Sequence, residues 1–151
     1  MENSWNLIHL GMPVKDLDKA MADFNKLGAA SFKEEFLIDS SNFEEYLVYG
    51  KTPDPVVKTR GIFCQMGPVW LELLQPVQGH TVHKEFLESK GEGIGHIAYQ
   101  VEDLDAETAK LVEQGFPVVL SFTRKGETER AGVYIDTRNS FSGLITEFVK
   151  A

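Results

Sequence analysis

The chain has 151 residues, 42% hydrophobic and 25% charged, with a formal net charge of −8. That is enough chain to bury a core in one domain or in two half-size modules, and the composition excludes a disordered or fibrous protein. The acidic balance argues against nucleic acid as a partner, because phosphate binding needs concentrated Lys and Arg.

Residues 7–14 form a short apolar run around His9 and read as a first strand. Asp16 is placed to cap a helix whose Leu17, Ala20, Met21, Phe24 and Leu27 share one face, and Gly28 stops it. Strands are predicted over 30–37, 44–50, 60–66 and 68–75, with Met66-Gly67-Pro68 as a turn. The polar stretch 38–60 reads as a longer hairpin or a lid over a site. Residues 76–93 form a bridge with a short helix over 82–90, where His80 and His83 read as surface or helix-end residues. A second strand is predicted over 94–101, around His96. Asp103 then caps a helix carrying Leu104, Thr108, Leu111 and Val112, and Gly115 ends it. Strands over 117–123, 131–136 and 142–149 complete the chain, with Asn139 to Gly143 as a turn.

Other features are unremarkable. Lys58 and Arg60 read as solvated charge, as do Arg124, Lys125 and Arg130. The single cysteine, Cys64, excludes an intramolecular disulfide, fits a cytoplasmic setting and lies in an apolar run that reads as core. No stretch is apolar enough to span a membrane, and Met1 to Asn6 do not read as a signal peptide. There is no Gly-rich phosphate loop, nucleophile elbow, CxxC or zincin motif.

The chain repeats itself. His9, Val14, Asp16, Leu17, Asp18 and Gly28 recur as His96, Val101, Asp103, Leu104, Asp105 and Gly115, all at one offset. The reading is an α+β fold of two tandem βαβββ modules, about 6–75 and 94–149, in a single domain over the whole chain. The modules form a curved, partly open mixed sheet around one central cavity.

Each module carries the same two polar intrusions. A His interrupts the first strand, and a Glu interrupts the last: Glu72 in Val69–Leu74 and Glu147 in Leu144–Val149. A carboxylate inside such a strand costs several kcal/mol to bury unless it is paired or binds an ion. Pseudo-twofold symmetry brings both pairs to one place. His9, Glu72, His96 and Glu147 are therefore the expected ligands of a divalent first-row ion (Co, Ni, Zn, Mn or Fe), a set too rich in carboxylate for structural zinc. Strand alternation adds Leu7, Gly11, Pro13, Ile94, Ala98, Gln100, Trp70, Leu74, Ile145 and Val149 as cavity lining, with the small Gly11 and Ala98 leaving space.

This layout resembles the vicinal oxygen chelate superfamily over about residues 6–149, and Phe86 to Tyr99 resembles methylmalonyl-CoA epimerase most. The resemblance implies a metal-dependent isomerase or lyase. It would act on a small carbonyl or acyl-CoA substrate by abstracting a proton next to a metal-polarised carbonyl, with Glu147 as the base. It also implies a homodimer. Two departures stand out. Gly95 replaces a second, adjacent His, and Glu72 replaces the usual Gln, as in bacterial-type glyoxalase I. The strand 61–66 lacks the epimerases' second carboxylate, for which Glu44 or Glu45 is the available substitute. The alternatives are a glyoxalase I-like lyase and a non-catalytic, resistance-type protein that binds a small molecule.

Overall fold

A computed structural model describes residues 4–28, 30–140 and 143–151. Ala29, and Phe141 and Ser142 within the expected Asn139–Gly143 turn, lie outside the described residues, as do Met1 to Asn3. In chain order the strands and helices are β1 (Asn6–Pro13), α1 (Leu17–Lys26), β2 (Ala30–Phe32), β3 (Phe36–Asp39) and β4 (Phe43–Val48), then β5 (Lys58–Met66), β6 (Val69–Gln78) and α2 (Val82–Lys90), then β7 (His96–Val101), α3 (Leu104–Glu113), β8 (Val118–Arg124), β9 (Gly132–Ile135) and β10 (Ile145–Lys150).

The helices start where their sequence says they should. The side chains of Asp16, Thr81 and Asp103 accept from the backbone N–H groups of Lys19, Lys84 and Ala106, satisfying amides that have no partner inside the helix. α1 packs Leu17, Met21 and Phe24 against Ile62, Leu71 and Leu73, and α3 packs Leu104 and Leu111 against Val133 and Phe148. These two clusters cover the outer face of the sheet and leave its inner face for the site.

All the strands belong to one mixed sheet in the order β2-β5-β6-β1-β7-β10-β9-β8-β4, with β3 also on β5. The two repeats meet at its centre, where β1 and β7 run antiparallel. Outside them β6 lies parallel to β1 and β10 parallel to β7, so the expected last strand of each module flanks its first.

The first module departs from a simple βαβββ order. The stretch 30–37 is two short strands, β2 and β3, both on β5. The stretch 38–60 is not a lid. A 3-10 turn at Ser40–Asn42 carries the chain across to β4, which pairs with β8 of the second module. Ser40 anchors that crossing through two hydrogen bonds to Val57: its amide donates to the Val57 carbonyl, and its hydroxyl accepts from the Val57 amide. The sheet is thereby curled, with its two edges brought together by a three-residue turn.

Candidate metal centre

The site lies on the inner face of the four central strands. Register places Gly11 between Glu72 on one side and His96 on the other. Ala98 lies in the same way between His9 and Glu147. Each row thus holds one His and one Glu flanking a small residue, and the two rows are related by the sequence repeat.

The four side chains converge. His9 Nε2 is 3.5 Å from Glu72 Oε1 and 3.2 Å from Glu147 Oε2. His96 Nε2 is 3.5 Å and 3.1 Å from the same two atoms, and the two Nε2 atoms are 3.4 Å apart. One ligand atom from each residue lies within 4.8 Å of every other. Atoms held about 2.1 Å from a common ion are roughly 3.0 Å apart at right angles and roughly 3.4 Å apart in a tetrahedron. The His–Glu and His–His spacings, 3.1–3.5 Å, lie close to that range. All four residues are buried, and Glu147 Oε2 has no hydrogen-bond partner. A buried carboxylate oxygen without a partner, facing two imidazoles and a second carboxylate, is a donor set that fits a divalent cation.

The electrostatics agree. Burial disfavours a charged imidazole, but the carboxylates of Glu147 and Glu72 outweigh it and push His9 up to about 10; the same balance raises His96. Burial also favours a neutral carboxyl, and the two imidazoles reverse that, holding Glu72 and Glu147 below the ordinary carboxylate range. Both carboxylates are therefore ionised and draw positive charge, as protons on the imidazoles or as a metal ion.

The lining differs from simple alternation in three places. A bulge between Leu7 and His9 turns Leu7 to the outer face, where it pairs with Tyr99, and brings Asn6 opposite Gln100 on the inner face. Ile94 precedes β7 and is exposed. The space above Gly11 is filled by the His96 ring rather than left open.

Sequence reasoning missed the groups that pack around the ligands. His83, expected at the surface, is buried with its ring 5.7 Å from that of His96 and 5.6 Å from that of Tyr134. Burial, then the charge of His96, push it down to about 4, so it is neutral. His80 is at the surface, as expected, beside Glu85. Phe63 lies directly opposite Glu72 and Tyr134 directly opposite Glu147. The Phe63 ring is 5.3 Å from His9, and the Tyr134 ring 5.0 Å from His96. Burial first, then Glu147 and Glu72, raise the hydroxyls of Tyr46 and Tyr134 above their ordinary range. The tight turn at Gly67-Pro68 sets the hairpin register, which would have placed Phe63. The long β9–β10 connection gives no such handle on Tyr134.

Glu44 and Glu45 do not join the cluster. Glu44 is exposed, accepting from the Gly126 amide and pairing with Lys125, and Glu45 is exposed opposite Thr123.

The two ends of the curled sheet differ. At the α2 end the inner-face residues Pro13, Gly61, Leu74, Ile145 and Val48 are buried, and Val57 and Val82 close over them. At the opposite end Gln65, Trp70, Gln100, Phe122 and Val149 are half-buried and Asn6 is exposed. That end is the less covered of the two.

The family model of the glyoxalase/bleomycin resistance protein/dioxygenase superfamily matches residues 8–134. The chain belongs to that superfamily. An uncharacterised protein of Bacillus subtilis (strain 168), YqjC, is 27% identical over 142 residues, covering 93% of this chain and 89% of its own. Among solved structures, methylmalonyl-CoA epimerase from Mycobacterium tuberculosis is similar with a TM-score of 0.67 at 23% identity, covering 99% of this chain and 92% of that one. A Streptomyces coelicolor methylmalonyl-CoA epimerase variant in complex with 2-nitronate-propionyl-CoA has a TM-score of 0.64 at 19% identity, covering 97% and 96%. At such identities the likeness shows the fold. Among the described residues no helix is long and apolar enough to cross a membrane.

Proposed function

We propose that this superfamily member is a metal-dependent isomerase or lyase that moves a proton next to a carbonyl in a small carbonyl or acyl-CoA substrate. The observation that carries the reading is the convergence of His9, Glu72, His96 and Glu147 on one buried point. The epimerase neighbours, one of them holding an acyl-CoA analogue, support the substrate class.

These four residues would hold the ion. When bound, a divalent ion supplies Lewis acidity that polarises a substrate carbonyl and acidifies the adjacent C–H. The remaining work falls to the chain. Glu147 is ionised and its buried Oε2 faces the point where the four side chains meet, so it is the residue that takes the proton. The C–H bond breaks, the proton goes to the carboxylate, and the electron pair moves into the carbonyl. Return of the proton from Glu147 to the neighbouring carbon gives an isomer, and return to the same carbon gives an epimer only when the planar carbon turns its other face to Glu147 before the proton is returned. Phe63, Tyr134 and His83 exclude water around the ligands and hold the two imidazoles in place.

A second reading, a lyase with one carboxylate base, is favoured by one observation. The inner-face positions of β5 are Gly61, Phe63 and Gln65, and none is a carboxylate. The test is incubation of the metal-loaded protein with methylmalonyl-CoA in deuterated water. Deuterium at the α-carbon, absent in Glu147→Gln, supports the first reading. Absence of α-deuterium, with turnover of the hemithioacetal of methylglyoxal and glutathione, replaces it with the second.

A further inference from the structure

The Lys33 ammonium lies 4.5 Å from the centre of the Trp70 ring, at the less covered end of the sheet's inner face. Trp70 is two residues before Glu72 on the same strand face. Its ring is 6.5 Å from Phe63, and the Phe63 ring is 5.3 Å from the ligand His9. A continuous aromatic wall therefore runs from Lys33 down to the metal ligands.

Contact with an indole would alone be a way to hold a lysine stem. Two further observations say more. Three other cations toward this end of the strands are ion-paired: Lys125 with Glu44, Arg130 with Asp105 and Lys150 with Glu129. Lys33 has no ion-pair partner among the described residues. Arg130 is committed to Asp105 near the start of α3. Arg124, without an ion pair among the described residues, lines a separate cavity of about 430 Å³ with Glu127, Glu129 and Lys150. Lys33 thus keeps its charge free, in a protein of net charge −8, at the less covered end of the inner face.

We infer that Lys33, seated on Trp70, determines specificity at this site by binding an anionic group, carboxylate or phosphate, on the end of the substrate remote from its reacting carbonyl. The apolar part of the substrate lies along Trp70 and Phe63. The inference rests on the functional reading above for the position of the carbonyl.

Binding is read without turnover, from the fluorescence of Trp70 in the metal-loaded protein, with Trp70→Phe as the control that isolates its signal. The probes are 7-oxooctanoate, which carries a carbonyl and a distant carboxylate on an apolar chain, and its uncharged methyl ester. The wild type is expected to bind the acid about tenfold more tightly than the ester. Lys33→Gln erases that preference by weakening the acid alone, and Lys33→Arg retains it. Displacement of the acid by inorganic phosphate at lower concentration than by acetate identifies phosphate as the preferred anion; the reverse order identifies carboxylate. A preference unchanged in Lys33→Gln, or no Trp70 response to the acid, overturns the inference. If proton transfer is absent but the Lys33-dependent preference persists, the functional reading fails and the anion site stands.

Discussion

Gly11 lies directly beneath the imidazole of His96. A Cβ built on Gly11 would fall 1.8 Å from His96 Cε1 and 2.1 Å from its Nδ1. No rotamer adjustment of a far-reaching chain relieves such a clash, because the atoms belong to a buried ring held by Tyr134 and His83. Gly11→Ala should therefore displace His96, lower stability by about 1–3 kcal/mol as an overpacked core does, and abolish metal binding. Thermal unfolding with metal titration checks this. Undiminished metal affinity in Gly11→Ala would show that His96 does not need this space.

On the proposed function, Glu72 and Glu147 take two different roles. Glu147→Gln should reduce proton exchange at the substrate carbon by a factor on the order of 10²–10⁴, the range for loss of a general base. Glu72→Gln should weaken metal binding and retain exchange at saturating metal, since its task is ligation. Deuterium incorporation measured across metal concentrations distinguishes them. Equal loss of exchange in both at saturating metal would assign the base role to neither alone.

The metal-free protein should lose stability above neutral pH. His9 titrates at about 10 when folded and 6.5 ordinarily, so it binds its proton more tightly in the folded state. Its contribution is complete below pH 6.5 and disappears as the pH rises through 10. Glu72 and Glu147 behave oppositely. Their folded values lie below the ordinary 4.5, so their contribution is present above that value and is lost as the pH falls through the folded values. Urea midpoints in the presence of chelator should fall from pH 7 to pH 10. Metal should oppose that fall, because it binds the deprotonated imidazoles that higher pH supplies. A chelated protein that grows more stable toward pH 10 would contradict this electrostatic account.

His83 supports His96 from behind. His83→Ala should leave a void against the His96 and Tyr134 rings and reduce metal affinity about 10- to 100-fold, the usual effect of losing a group that orients a ligand. Isothermal titration against the wild type checks it. His83→Phe should restore most of the affinity, since the neutral ring acts by packing.

Much of the site was legible because the chain duplicates its own chemistry. A single His or Glu in a strand is ambiguous, but His9 with His96 and Glu72 with Glu147 constrain each other through the repeat. What escaped was set by long-range pairing. Nothing local announces that Phe43–Val48 crosses to β8 instead of folding back on its own module. Nor does composition announce the bulge before His9, where one extra residue turns Leu7 to the opposite face. His83 was missed for a similar reason. Its position two residues into α2 is local, but its burial depends on where β7 and β9 pass beneath that helix.

On the proposed function, the four buried side chains of His9, Glu72, His96 and Glu147 form one metal centre. Elemental analysis of the purified protein beside His96→Ala tests it most directly. The account predicts about one divalent first-row ion per chain in the wild type and loss of that ion in a His96→Ala protein that remains folded. A folded wild type that neither carries nor takes up such an ion, or a His96→Ala variant that retains it in full, would contradict the account.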